Sequence, residues 1–529
     1  LTVDASGKIG PGLVETWQAD EAKTEFTFAV RRGVTFHNGQ PMTAVDLFET
    51  IMDILALDGT ADTGHIVTSI DPADSAGDTG DAGATATDEA AGDTQGTESE
   101  AQNIGNPTYI RMWTTVGDAG ANGEAAADGE AAGGDSGNGT PNDDEEDEIN
   151  RFAIYNQEIE TVTLADDYTL RLKMKTPGRA ALYFMTFPVR PQDMSDFSQP
   201  AGTGPYKVDA MGEEIRMSVN ENWWKVPPYI QSITAKPVGG PSEKLEGYES
   251  GLLDLVTTDD IATNKLEATG ESQTVDYLTN YYDCLVPNLF DESMKNDDVR
   301  KAISYAINRR LIISTVLLNH AVAAEMPISP LFFGFDTEYN KYEYDKTMAK
   351  KLLTQAGYTT DGSGAGNVLT LTMIVPNVVG EEYRVESARE IAGDLSEVGI
   401  VCNLEELAPE EYATRLESGT YNLAYVSYYL DQNMDISFMF APDGPENFGH
   451  VASDELNTAI TACNEALSET DMISAYDMLE NYFMEKVPQI GLYFRMNSII
   501  ADTTIMGISA PYENHIFSDI SEWSVLQNH

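Results

Sequence analysis

A carboxylate just past an aromatic strand is the arrangement in this chain best suited to holding a charged solute. The run Tyr421-Asn422-Leu423-Ala424-Tyr425-Val426-Ser427-Tyr428-Tyr429-Leu430-Asp431 reads as an apolar strand ending on Asp431, with Asp435 close behind. An ammonium buried away from water needs a counter-charge, and a carboxylate supplies one. Tyr428 and Tyr429 would then form an apolar or cation-accepting wall, while Tyr425 reads as core. The alternative is that Asp431 is a surface acid in a loop. Trp223 and Trp224 are a second aromatic candidate: both pack between subdomains, or Trp223 reaches a cleft.

Bond-making chemistry has less to stand on. The chain has no Gly-x-Ser-x-Gly elbow, no His-Glu-x-x-His pair and no phosphate-binding glycine loop. Its six histidines, His37, His65, His320, His450, His515 and His529, are scattered, so a catalytic base has no partner to lean on. The three cysteines, Cys284, Cys402 and Cys463, match no metal spacing and read as small buried apolar groups. The acidic run Asp143 to Glu148 lacks the spaced Asp/Asn and Gly of a calcium loop and reads as a solvated linker. The expectation is a binding protein and not an enzyme, with no metal and no cofactor.

The elements that position these residues are announced early. Glu25 to Phe36 alternates as a strand interrupted at Gly33, Asn38-Gly39 supplies a turn, and Thr43 with Asp46 three residues on starts a helix towards Leu57. The residues Arg31-x-Gly33-Val34-x-Phe36-His37-Asn38-Gly39-x-Pro41-x-Thr43-Ala44-x-Asp46 closely resemble the signature of family 5 extracellular solute-binding proteins, the peptide-type and nickel-type receptors of ABC importers. Gly202-Thr203-Gly204-Pro205-Tyr206 resembles a second hallmark of that family, Asp297 to Arg309 a third, and Tyr344 to Tyr358 a fourth.

This resemblance implies an α/β two-lobe periplasmic-binding-protein clamshell of the large class, with an extra subdomain in lobe 1 and mixed sheets flanked by helices. Lobe 1 is expected over 1–281, carrying an acidic low-complexity insertion at 58–150; lobe 2 over 282–496; and a return to lobe 1 over 497–529. It also implies that Ser427 to Asp431 matches the stretch that supplies the ammonium-binding aspartate of peptide-binding members, with Tyr428 standing where those members usually carry tryptophan. The implied function is the extracytoplasmic binding component of an ABC importer for a short peptide or other amine-bearing solute, a monomer whose partner is the permease. Competing expectations are a nickel or metallophore receptor of the same fold, and a surface protein that keeps the fold for adhesion or sensing. The first residues resemble the family's second element. A first strand and lining segment on the order of forty residues, an export signal and a lipid anchor are therefore expected ahead of Leu1.

Composition bounds the rest. With 87 acids against 31 bases the formal charge is -56, which excludes nucleic-acid binding and disfavours anionic lipid surfaces. The stretch from Asp58 to Asn150 is poor in large apolar groups and is expected to be disordered, apart from the apolar island Pro107 to Trp113. Further expectations are a short helix or turn at Val14 to Trp17, a hairpin across Asp166-Asp167, a strand at Asn220 to Trp224, and a helix capped by Asp297 or Asp298.

Overall fold

The structure, a computed structural model, describes residues 1–57, 109–115, 158–192, 200–238, 241–259, 272–335, 342–361, 366–509 and 511–526. The acidic stretch expected to be disordered lies outside them, except for the strand Tyr109–Thr115. Among the described residues no helix is long and apolar enough to cross a membrane.

Three larger sheets organise the chain. In the first, Val14–Ala19, Glu25–Val30, Thr169–Met174 and Ile159–Asp166 lie side by side in that order, all antiparallel. Alternation sends Phe26, Phe28, Val30, Leu170, Leu172 and Met174 into one buried core with the helix Ala44–Leu57. Val14 to Trp17, expected as a helix or turn, is part of the edge strand: Trp17 pairs with Phe28 and Ala19 with Phe26. Sheet pairing overrides local preference in so short a segment. The helix starts as expected, because the Asp46 carboxylate accepts the Thr43 N–H at 2.8 Å and the Thr43 hydroxyl at 3.1 Å.

The second sheet runs Tyr206–Met211, Ile215–Val219, Ser232–Val238, Tyr109–Thr115, the last pair parallel, so the apolar island docks as an edge strand. Asn220 to Trp224, expected as a strand, is the turn that follows Val219. The Asn220 side chain accepts the Asn222 N–H at 3.1 Å, and the Trp223 N–H donates to the Asn220 carbonyl at 3.0 Å.

The third sheet has seven strands: Leu255–Thr258, Ile490–Asp502, Ser272–Pro287, Leu423–Tyr429, Thr370–Pro376 and Val401–Leu407 in order, with Ala321–Ala323 also paired to Ile490–Asp502. Ser272–Pro287 and Ile490–Asp502 run antiparallel from Ser272 opposite Asp502 to Leu285 opposite Ile490. One end of this pair packs with Leu255, Ile230 and Trp523; the other enters the largest core, beside the helices Asp297–Ala306, Glu382–Glu397 and Glu469–Lys486. The chain thus leaves one body along the first strand and comes back along the second. Asn296, not Asp297 or Asp298, caps the helix Asp297–Ala306, its side chain accepting the Asp298 N–H at 2.9 Å.

His37 ties the turn after the first strand pair to the glycine loop at 202–204. The Gly202 N–H donates to Nδ1 at 3.2 Å, Nε2 lies 3.1 Å from the Gly204 carbonyl, and the His37 N–H donates to the Gly202 carbonyl at 2.9 Å. This network assigns the ring proton to Nε2 and requires a neutral ring, since a protonated Nδ1 cannot accept. Burial holds the imidazole below the ordinary histidine value. A folded-state pKa below the unfolded one contributes stability at pH above about 6.5 that is lost as the pH falls. Urea unfolding at about pH 8 and about pH 5 should therefore show the wild type losing more stability on acidification than His37→Ala. The variant should be less stable by about 1–2 kcal/mol at the higher pH. Parallel pH slopes for the two proteins would contradict the neutral staple.

Candidate functional site

Strand parity decides which side chains meet. Tyr281 lies opposite Tyr429, Tyr282 opposite Tyr428, and Asp283 opposite Ser427. Opposed residues of an antiparallel pair share a face and neighbours along a strand alternate, so Tyr281, Asp283, Ser427 and Tyr429 occupy one face and Tyr282, Cys284 and Tyr428 the other. The return strand adds Tyr493, opposite Asp283, to the first face and Phe494, opposite Tyr282, to the second. The guanidinium of Arg495 lies 4.2 Å from the centre of the Tyr281 ring, and the Tyr281 and Tyr429 rings meet edge to face at 5.1 Å.

Asp431 follows this strand, two residues beyond Tyr429, and is half-buried. Its carboxylate accepts the Gln432 N–H at 2.7 Å, and its carbonyl accepts the Met434 N–H at 2.9 Å. Met434 sits at φ +51°, a left-handed conformation that strains a side chain of this size. Gln432 and Met434 line a cavity of about 30 Å³ whose other walls include Asp4, Asn280, Glu513 and Asn514. Asn280 Nδ2 donates to Asn514 Oδ1 at 2.7 Å and lies 3.4 Å from the Tyr429 hydroxyl, so both crossing strands and the segment after them meet here. A space this small holds about one water. A larger solute enters only if the walls part. Two wider concavities of about 500 Å³ lie elsewhere, one of them lined by Arg31, Arg32, Tyr168 and Trp224, and Asp431 lines neither of these nor the small cavity.

Tyr428, expected beside Asp431, faces away from the Tyr429 side of the strand, and Trp223 does not line the small cavity. Tyr428 is 1% exposed on the opposite face; its ring packs edge-on against Phe438 at 6.0 Å and its hydroxyl donates to the Glu446 carbonyl at 3.3 Å. Period two excludes it from the face of Asp431 and brings Tyr429, 43% exposed, in its place. Trp223 lies on the turn after Val219, edge-on to Trp224 at 6.4 Å, with the Lys225 ammonium over both rings, and is not among the cavity walls. Tyr425 is core, as expected, its hydroxyl bonded to that of Tyr493. Asp435 is engaged structurally, accepting the Ser437 N–H at 2.9 Å and Asn464 Nδ2 at 2.8 Å. The three cysteines are free, with Cys284 and Cys463 buried.

Sequence reasoning missed Arg179. This residue precedes the short helix Ala180–Phe184 and crosses the seam, its Nη2 donating to the Asn433 carbonyl and, at 2.7 Å, to the Tyr476 hydroxyl. The Arg179 N–H donates to the Asn464 carbonyl at 2.9 Å. Gly178, at φ +139°, permits this approach, because a Cβ there would collide with the Asn464 carbonyl. Arg179 is 2% exposed, and among the described residues its Nε and Nη1 meet no acceptor. A charge held in this way, two residues from Asp431 through Asn433, couples the Asp431 loop to the body across the seam. The only sequence signal was an arginine beside a glycine, which has no partner until the fold supplies one.

Two α/β bodies joined by paired crossing strands, with a cavity in the seam, have the architecture of a two-lobe periplasmic binding protein. The profile of "Bacterial extracellular solute-binding proteins, family 5 Middle" matches residues 8–449, and the chain belongs to that family. It is 26% identical over 224 residues to Glutathione-binding protein GsiB of Pectobacterium atrosepticum, covering 40% of this chain and 43% of that one. It is 22% identical over 371 residues to Di/tripeptide-binding protein 2 of Pseudomonas aeruginosa, covering 63% and 66%. The chain therefore spans less than two thirds of the length of these curated relatives. The solved structure of a nickel ABC transporter from Bacillus halodurans superimposes with a TM-score of 0.71 at 18% identity, over 99% of this chain and 92% of that one.

If Arg179 latches the two bodies, Arg179→Met should open the solute-free protein. Small-angle scattering should show a larger radius of gyration than the wild type, with near-ultraviolet dichroism unchanged and a stability loss of about 1.5–3 kcal/mol for a charged hydrogen bond. An unchanged radius would reduce Arg179 to a packing residue.

Proposed function

We propose that the chain is the extracytoplasmic substrate-binding component of an ABC importer, capturing a short peptide or another amine-bearing solute between two lobes. In this reading residues 1–281 and 497–529 form lobe 1, with the acidic insertion 58–150, and residues 282–496 form lobe 2. The protein works as a monomer without catalysis. A solute that binds the closed form better than the open one shifts the population towards the form the permease recognises. The observation that supports this reading is a half-buried carboxylate, Asp431, directly before Gln432, which lines a small cavity in the seam. Family membership supports it independently.

Asp431 is the anchor for the solute ammonium, and Tyr429, two residues before it on the same face, is the aromatic group beside it. A nickel or metallophore receptor of the same fold is the competing reading. Calorimetry with a tripeptide selected from a random pool, its N-acetylated form and a nickel–histidine complex separates the two. Asp431→Asn should lower tripeptide affinity by about 2 kcal/mol or more, the cost of stranding a buried charge. Acetylation should weaken wild-type binding by a similar amount and cost the variant little more. Tight nickel–histidine binding with no peptide response would favour the metal reading. Equal affinity for free and acetylated peptide would remove Asp431 from the site.

A further inference from the structure

We infer that the concavity at one end of the first sheet, lined by Arg31, Arg32, Tyr168 and Trp224, is a docking site for an acidic segment of the same chain, the run Asp143-Asp144-Glu145-Glu146-Asp147-Glu148. It stands apart from the solute reading, since this concavity and the small cavity in the seam share no residue.

Four pieces of chain build the concavity. Val30 closes the strand Glu25–Val30, and its N–H donates to the Tyr168 carbonyl at 2.8 Å, which sets Arg31 and Arg32 beside the turn of the Asp166 hairpin. The Arg31 N–H donates to the Leu13 carbonyl at 2.8 Å and brings the start of the edge strand, with Glu15, to the same place. Trp224, from the turn after Val219, forms the remaining wall. At about 500 Å³ the space takes several side chains of a peptide segment.

Its cations are held by rings more than by acids. The Arg32 guanidinium lies over the Tyr168 ring at 3.9 Å, that of Arg31 over the Trp224 ring at 5.0 Å, and the Lys225 ammonium over Trp224 at 4.8 Å. Stacking of this kind positions a cation without neutralising it. Arg31 is partly committed, its Nε donating to the Gly12 carbonyl at 3.0 Å and its Nη1 to Glu15 at 3.3 Å. Asp166, the other acid on the wall, accepts the Tyr168 N–H at 2.8 Å. Among the described residues Arg32 and Lys225 make no hydrogen bond and no ion pair.

Other surface arginines are matched. Arg216 meets Glu214 at 2.9 Å, Arg310 meets Glu343 at 2.9 Å, and Arg389 meets Glu406 at 2.8 Å. Arg32 and Lys225 lack such an acid in a chain that carries 87 acids to 31 bases. A separate acidic molecule, a second copy included, approaches this patch against a formal charge of -56. A tethered segment sits in that field whether it docks or not, and its effective concentration is on the order of millimolar. The nearest complement is therefore within the chain.

Asp143 to Glu148 are carboxylates in unbroken succession, whereas most acids of the stretch 58–142 are spaced by Ala, Gly or Thr. The run lies outside the described residues, and its point of attachment fixes its reach. Glu148 stands about eleven positions before Ile159, where the edge strand Ile159–Asp166 begins. That tether spans up to roughly 36 Å at about 3.3 Å per residue. The strand measures roughly 23 Å from Ile159 to Asp166, which is on the wall of the concavity. The run therefore reaches Arg32 with no strand displaced.

Zero-length carbodiimide coupling of the full chain tests this, because it joins an amine to a carboxylate in contact with it, with loss of water, and Lys225 supplies the amine at the rim. Joined fragments are identified by mass spectrometry, in a mixture of isotope-labelled and unlabelled protein that separates joins within a chain from joins between chains. Lys225 should be joined to residues 143–148 of its own chain. Arg32→Gln should lower that yield about threefold, the scale of an exposed ion pair, and about 1 M salt should lower it as well. The Lys173–Glu160 pair, at 2.9 Å, should couple equally in wild type and variant and so reports that the fold is kept. Lys225 joined only to acids outside 143–148 overturns the inference. A yield unmoved by both Arg32→Gln and salt overturns it too, and joins chiefly between labelled and unlabelled chains would assign the patch to a second copy instead.

Discussion

The antiparallel pairing of Ser272–Pro287 with Ile490–Asp502 is the constraint from which the site follows. These two strands are the path by which the chain leaves one core and re-enters it, so their backbone ladder is shared by both bodies. Register shifts between Leu278 and Tyr282, and between Asp283 and Cys284, break the ladder at the level of the seam. Such irregularities raise local twist and redirect side chains. Here Tyr281 lies within the first irregularity and Asp283 borders the second. Once register is set, parity leaves no freedom: aromatic, carboxylate and guanidinium groups go to one face, and Tyr282, Tyr428 and Phe494 to the core behind it.

Polar contacts of several kinds cross the seam. Lys8 pairs with Glu469 on the surface, where such pairs weigh little, and Lys23 Nζ donates to the Glu465 carbonyl at 3.0 Å. Arg179 is buried without a carboxylate partner among the described residues, and Met434 is held in a strained conformation beside it. Both cost free energy in this conformation.

Much of this was legible in the sequence where the signal is local. The strand, turn and capped helix around Gly33, Asn38-Gly39 and Thr43, the hairpin at Asp166-Asp167 and the strand Leu423–Tyr429 just before Asp431 all rest on alternation, turn residues or caps within a few positions. The edge strand Val14–Ala19 was not, because it exists through its partner Glu25–Val30. Tyr428 and Tyr429 were expected on one wall, but adjacent strand residues alternate, and Tyr428 faces the core. Arg179 lies 254 residues from the carbonyl it bonds, and Arg495 meets Asp283 only after the return strand is laid down. No local pattern announces a pair of that kind.

The central claim is that a solute amine is bound by Asp431 between the two bodies. A crystal structure of the protein with a retained peptide tests it most directly. The account predicts the peptide ammonium within hydrogen-bond distance of the Asp431 carboxylate, with the seam closed over it. A bound peptide whose ammonium is held by another group, with Asp431 facing solvent, would contradict it.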